Sequence, residues 1–238
     1  NIFGDIFTDI VARVPAKINL KGGDTLSKID VFPGGSGSNV SCHLANYLQK
    51  NNQTQAITRI YSCVGDDTHG KLCIDYLDKC NVDTSYVKVS KSAKTGTCIV
   101  LSSGMERSFI TDAGCIDNEL QLDLFTLKEQ DSLCCKQIHN NDDDNHVHFH
   151  MSGIFNISQI RKKSSDNGHT GIYNIFHKVK YNNNNVCTSL NPQYDALGQW
   201  DCIRDICPTL DILIANEVEV MNIANSSQGK ELSARAKR

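Results

Sequence analysis

The apolar residues of this chain change their spacing repeatedly, from every second residue to every third or fourth. That switching constrains the fold most tightly, because period two marks a strand and period 3.6 a helix. Residues 2–14 read as strand, broken by a turn-like Gly4-Asp5. Residues 39–50 read as a helix with Val40, Leu44 and Leu48 on one face. Residues 57–64 read as a strand, and 68–80 as a helix turning Leu72, Tyr76 or Leu77, and Cys80 inward. Strands follow near 97–101, 107–112 and 146–151, then helix 171–181, strand 186–190, helix 199–207, strand 211–215 and a helix from about 217. Alternation of this kind predicts an α/β fold, a doubly wound and mostly parallel sheet with helices on both faces. Two stretches, about 11–32 and 86–112, carry strand patterns with no helix between them, and they predict a small β lid.

Charge and cysteine usage narrow the function classes. A net charge of −3, with basic residues scattered apart from Arg161–Lys163 and Arg235–Arg238, argues against a nucleic-acid partner. No apolar run reaches the length of a membrane span, and no export signal opens the chain. The eleven cysteines are odd in number and contain no C-x-x-C pair. Several, among them Cys42, Cys73, Cys80 and Cys98, fall inside apolar patterns, where free cysteine behaves as a small hydrophobe. The expectation is a cytoplasmic protein with reduced thiols. His139–Asn145, Asn182–Asn185 and residues 161–169 are polar and read as solvated loops.

The segment most suggestive of chemistry is Pro33-Gly34-Gly35-Ser36-Gly37-Ser38-Asn39-Val40-Ser41, which runs straight into a helical pattern. Its glycines permit unusual backbone angles and close approach by a ligand. Asn39 stands where the helix is expected to begin, beside amides with no partner in the helix. Exposed donors plus one amide side chain suit a hydroxyl-rich ligand; a glycine-rich turn with Asn39 as plain N-cap is the competing account. No Lys follows, so the segment is not a Walker-type phosphate loop, and Val40 takes the third glycine position of a dinucleotide fingerprint. His146-Val147-His148-Phe149-His150 puts three imidazoles on one strand face. No third ligand of another type accompanies them, so a structural strand is the better reading than a zinc site.

The pattern G-G-x-G-x-N-x-S at 34–41 resembles the N-terminal signature of the PfkB/ribokinase family of carbohydrate and nucleoside kinases. Further segments are similar to family motifs in the same order. They are Gly4–Asp9, Gly23-Asp24-Thr25, Val64–Gly70, Val82-Asp83-Thr84-Ser85 with Asn81 in place of a Gly, Thr95-Gly96 and Gly104–Ser108. Asp211–Glu219 looks like the strand that leads into the family's N-x-x-E motif, and Asn191-Pro192 resembles its [DN]-P. The resemblance implies ATP- and Mg²⁺-dependent phosphorylation of a hydroxyl on a small sugar-like or nucleoside substrate. Asp9, Gly34, Gly35, Asn39 and, from the lid, Arg107 would then bind substrate. Asn191, Asn216 and Glu219 would approach the nucleotide phosphates, with Glu219 as the Mg²⁺ ligand. Lids of this family often mediate dimers, which implies a homodimer through the lid.

Departures from the family pattern matter as well. Ser36 stands where many ribokinases carry Lys, and Ser152-Gly153 lacks the Glu of ribose-specific members, so ribose is not the favoured substrate. The family's G-A-G-D segment, which would carry the catalytic base and an anion hole, does not occur. The expectation is therefore an incomplete domain, inactive by itself, with no catalytic residue assigned. A non-catalytic sugar-binding or scaffolding protein is the alternative.

Overall fold

The structure, a computed structural model, describes every residue except 15–21, 54, 105, 121–146, 166, 182–185 and 227–238. The chain forms two compact units: Asn1–Gly4 with Leu120–Arg238, and Asp5–Glu119.

In the second unit, β2 (Phe7–Arg13), β3 (Lys28–Gly34), β6 (Gly96–Ser103) and β7 (Glu106–Asp112) form a four-stranded sheet in the order β3-β2-β6-β7. The β2–β3 and β6–β7 pairs are antiparallel and β2–β6 is parallel. The strand patterns read over about 11–32 and 86–112 overlap this sheet without matching its limits. Its first strand starts at Phe7, and β5 (Asp83–Ser90) pairs in parallel with β4 (Arg59–Gly65) instead of joining it. The turn expected at Gly4-Asp5 separates β1 (Ile2–Gly4) from β2.

Two helices pack on the β4–β5 pair. Helix α1 spans Ser36–Lys50 and α2 spans Thr68–Lys79. The cluster beneath them contains Ile6, Cys42, Ala45, Ile60, Val64, Cys73, Leu77 and Val82. On α1 the buried stripe is Ser38, Ser41, Cys42 and Ala45, while Leu44 is exposed; small side chains let the helix lie close to the sheet. On α2 the stripe is Cys73, Leu77 and Cys80, and Leu72 and Tyr76 face outward. Burying a side chain such as Leu77 completely contributes about 2–3 kcal/mol. Asn81 takes a φ of 57°, a left-handed angle that Asn tolerates and glycine adopts freely. A short helix α3, Cys115–Glu119, ends the unit.

In the first unit, four strands pair in parallel in the order β10-β9-β8-β1. They are β8 (Val147–Ser152), β9 (Val186–Asn191), β10 (Ile212–Leu213) and β1. With β4 and β5, six strands run in parallel pairs, the α/β class that the alternating periodicity predicts. The helix Gly171–Tyr181 buries Ile172, Ile175, Phe176 and Val179, and Phe176 meets Phe149 edge-on at 5.5 Å. The helix expected over 199–207 is instead a short turn, Ile203–Ile206, continued by a 3-10 turn, Cys207–Thr209, whose Pro208 cannot donate to a longer helix. The loop before it is held by Asp195, which accepts from the backbone N–H groups of Leu197, Gln199 and Trp200 and pairs with Arg161 at 3.1 Å. The polar runs 139–145 and 182–185 lie outside the described residues. Among those described, no helix is long and apolar enough to cross a membrane.

Candidate functional site

Asp9 lies in the middle of β2, in register with Phe32 on β3 and Cys98 on β6, and it is half-buried. Burial pushes its carboxyl above the ordinary carboxylate range. Among the described residues, no donor reaches it. Strand pairing explains its glycine neighbour. Phe7 pairs with Gly34, and a Cβ on Gly34 would land on the Asp9 carboxylate, so no other residue leaves that carboxylate its place. Gly35 follows with φ 91°, and a Cβ there would sit 2.7 Å from both the Asp5 carbonyl oxygen and the Phe7 nitrogen.

Gly35 is the N-cap of α1, and no side chain on the ribbon caps the helix. The cap comes from a residue 32 positions away. Buried Asp5 accepts the Gly37 N–H on Oδ1 at 3.0 Å, and its carbonyl accepts the Ser38 N–H at 3.2 Å. Helix α1 therefore starts three residues earlier than the sequence suggests. Asn39 is not its cap. It lies within the first turn, its N–H bonded to the Gly35 carbonyl at 3.0 Å and its side chain exposed. The amides of Gly37 and Ser38 are committed to Asp5 and the ribbon glycines are buried, which leaves the Asp9 carboxylate and the Asn39 side chain as the polar groups that no described residue engages. Asn39 stands one helical turn, about 5–6 Å, from Gly35. The Ser38 hydroxyl is buried and has no partner among the described residues.

Arg107 is on β7 and exposed. Register carries it to the same sheet face as Asp9. Asp9 is level with Cys98 and Thr111, and two rungs along, Arg13, Ser102 and Arg107 are level. Strand spacing puts the Arg107 backbone about 16 Å from that of Asp9.

The V-G-x-D-x-x-G segment is a structural corner. Asp67 caps α2 by accepting the Gly70 N–H at 2.8 Å, and it also accepts the Thr95 N–H at 2.9 Å and hydroxyl at 2.7 Å. Burial works against its charge, but these hydrogen bonds prevail and hold the carboxyl below its usual range. The Gly65 N–H donates to the Thr95 hydroxyl at 2.9 Å, which anchors the start of β6. Neither Asp5 nor this corner is legible as a cap in the sequence. The available signal was an acid following a three-residue strand, and it reads equally well as a turn.

In the first unit, Asn216 is the N-cap of the helix Glu217–Asn225. Its side chain accepts the Glu219 N–H at 2.9 Å, and Glu219 Oε2 accepts the Asn216 N–H at 3.1 Å. This reciprocal box fixes a buried carboxylate at a helix N-terminus and leaves Oε1 without a partner among the described residues. Asn191 ends β9 level with Ser152, and its carbonyl accepts the Gly153 N–H at 3.1 Å. His148 and His150 share the Ser189 hydroxyl, at 2.6 and 2.7 Å. Burial and the neighbouring His148 hold His150 neutral, with its pKa lowered to about 4. Both imidazoles thus serve the sheet, and His146 lies outside the described residues.

Comparison with known proteins gives this geometry a family. The description "pfkB family carbohydrate kinase" matches residues 2–238. An adenosine kinase of Dictyostelium discoideum is 34% identical over 91 residues, which are 38% of this chain and 25% of that protein. A ribokinase from Thermotoga maritima superposes with a TM-score of 0.68 at 18% identity, covering 96% of this chain and 62% of its own. The Arabidopsis thaliana ribokinase complexed with ribose and ATP does so at 0.63 and 17%, covering 99% and 66%. The chain therefore spans about two thirds of these solved structures and a quarter of the adenosine kinase. Such low identities establish the fold; the family match, extending over almost all residues, establishes that this chain belongs to the PfkB family of carbohydrate kinases.

Proposed function

We propose that the protein takes part in ATP- and Mg²⁺-dependent phosphorylation of a hydroxyl on a small sugar-like or nucleoside substrate. The observation that carries this reading is the close approach of Asp9 to Gly34, where the absence of a side chain gives room to a carboxylate that has no partner among the described residues. A carboxylate in that setting accepts two hydroxyl hydrogens, and the Asn39 amide both donates and accepts. Arg107, on the same face of the lid, meets a polar or charged substituent of the substrate. Asn191 and Asn216 line the phosphate approach.

The donor set suits a hard cation. Mg²⁺ is usually held by one or two carboxylates with waters and phosphates, and Glu219 keeps one carboxylate oxygen outside its capping box. Glu219 would hold the ion directly or through a coordinated water, and the ion would offset charge on the phosphates. The nine described cysteines are all free, in keeping with a reducing, cytoplasmic setting. The lid's other face suits a second copy of the chain.

The test is an ADP-release assay with Mg-ATP against a panel of sugars and nucleosides, run beside thermal shift on the same samples. One panel member should release ADP, and Glu219→Gln should raise the Mg²⁺ concentration required by about tenfold or more. Thermal stabilisation by a sugar without ADP release would support the non-catalytic sugar-binding alternative. Absence of both responses would sink the Asp9 reading.

A further inference from the structure

Asn167-Gly168 is the only place in the chain where glycine follows asparagine. The pair lies in a tight turn between the short helix Ser158–Arg161 and the helix Gly171–Tyr181, and both residues are exposed. Two backbone bonds tie the sides of this turn together. The Ser164 N–H donates to the His169 carbonyl at 2.8 Å, and the Gly171 N–H to the Lys162 carbonyl at 3.1 Å. Gly168 has a φ of 71°, and a Cβ there would meet nothing within 4 Å, so the outer side of the turn is open to solvent.

Such a dipeptide holds an electrophile and a nucleophile within reach of each other. The Gly168 nitrogen, once hydroxide has taken its proton, can attack the Asn167 side-chain carbon and close a five-membered ring. That attack is intramolecular, and glycine sets no side chain against it. The fold adds an electrostatic element. Asn167 Oδ1 accepts the His169 N–H at 3.0 Å, so a fixed donor already faces the oxygen on which negative charge develops. The leaving nitrogen, Nδ2, is held by Asn174 Oδ1 at 2.9 Å. One contact acts the other way. The Gly168 N–H donates to the Ser164 carbonyl at 3.0 Å, and this bond must open before the proton leaves. Exposed turns sit at the low end of local stability, so the opening costs little.

We propose that Asn167 is a site of spontaneous covalent modification through a succinimide. The Gly168 nitrogen bonds to Asn167 Cγ, the Cγ–Nδ2 bond breaks, and ammonia leaves with a proton from water. Water then opens the ring at either carbonyl and leaves aspartate or isoaspartate. One water is consumed and one ammonia released, with no oxidation or reduction. Either product removes the donor to Asn174. Either also sets a carboxylate just before the helix Gly171–Tyr181, whose first turn has no acid of its own. Isoaspartate does more, because it routes the main chain through the side chain and lengthens the turn by one carbon. The bonds from Ser164 to His169 and from Gly171 to Lys162 then lose their register, and the rings of His169 and Tyr173, stacked at 4.0 Å, part with them. The site is independent of the kinase reading, since no residue of it belongs to the substrate or phosphate groups named above.

The experiment incubates the full chain at pH 6, 7 and 8 and follows it by peptide mass spectrometry. Isoaspartate is counted with a carboxyl methyltransferase that uses S-adenosylmethionine. The peptide holding Asn167 should gain about one dalton at least fivefold faster than peptides holding the other described asparagines, and faster still as pH rises. Gly168→Ala should slow the change about tenfold or more, and Asn167→Gln should abolish it, both with an unaltered melting temperature. Amide exchange over residues 170–175 should speed up in the isoaspartyl form. It should stay slow in freshly prepared Asn167→Asp, which carries the charge without the longer main chain. An Asn167 that stays intact in the folded chain yet reacts in urea would show that the turn protects it and would overturn the proposal. A rate indifferent to Gly168→Ala, or equal exchange in the isoaspartyl form and Asn167→Asp, would overturn it too.

Discussion

Asp9 is a half-buried carboxylate with no partner among the described residues, and that combination sets function against stability at a single residue. Desolvation raises its folded pKa above the unfolded value, so the folded state binds the proton more tightly. Above the unfolded pKa, near 4, the ionised group then subtracts stability, and below it that penalty disappears. Asp9→Asn should therefore raise the melting temperature at pH 7 while weakening substrate at least tenfold, since hydrogen bonds to a charged group contribute about 1.5–3 kcal/mol each. In the unsubstituted protein, substrate affinity should decline at a higher pH than an ordinary carboxylate would produce. Binding titrations from pH 4 to 8 check both outcomes; an Asp9→Asn protein that is less stable and binds normally would assign Asp9 a structural role.

Helix α1 depends on a residue outside itself. Its N-cap is a glycine with no side chain to offer, and Asp5 provides the missing acceptors from the segment between β1 and β2. Removing that carboxylate strands the buried Gly37 N–H. Asp5→Ala should cost about 2–4 kcal/mol, from a lost charge-assisted bond and an unmet donor, and should speed hydrogen exchange in the first turn of α1. Urea denaturation with amide exchange measures both. Asp5→Asn, which keeps an acceptor oxygen, should cost less. Equal losses for the two substitutions would show that cavity and packing effects, not capping, dominate. The helix Glu217–Asn225 contrasts with α1, because its cap and its capping-box partner are three residues apart in the chain. Local spacing sufficed there, and N-x-x-E could be read directly as a helix start.

For the molecule as a whole, the outer face of the four-stranded sheet is the feature that points beyond one chain. Val31, Ile10, Ile99 and Ile110 are level across all four strands, on the face opposite Asp9. Val31 is 51% exposed and Ile110 60%. A continuous apolar rung in water favours association, and a net charge of only −3 does little to oppose it. On the proposed dimer, light scattering should report twice the chain mass, and Ile110→Lys should return it to one chain without loss of fold. A monomer for both proteins would refute the dimer.

Alternating periodicity was enough to determine the α/β class, the parallel strand pairs and most element positions. Helix Gly171–Tyr181 falls on the residues that its pattern indicates, because apolar spacing at i, i+3 and i+4 admits one buried face. Motif order was enough for the family. Tertiary structure alone decided how the glycine ribbon is used. Pairing of β2 with β3 brings Asp9 over Gly34, and packing within the Asp5–Glu119 unit brings Asp5 to the start of α1. Those contacts join residues 25 and 32 positions apart, a separation at which spacing in the chain carries no information about distance in space.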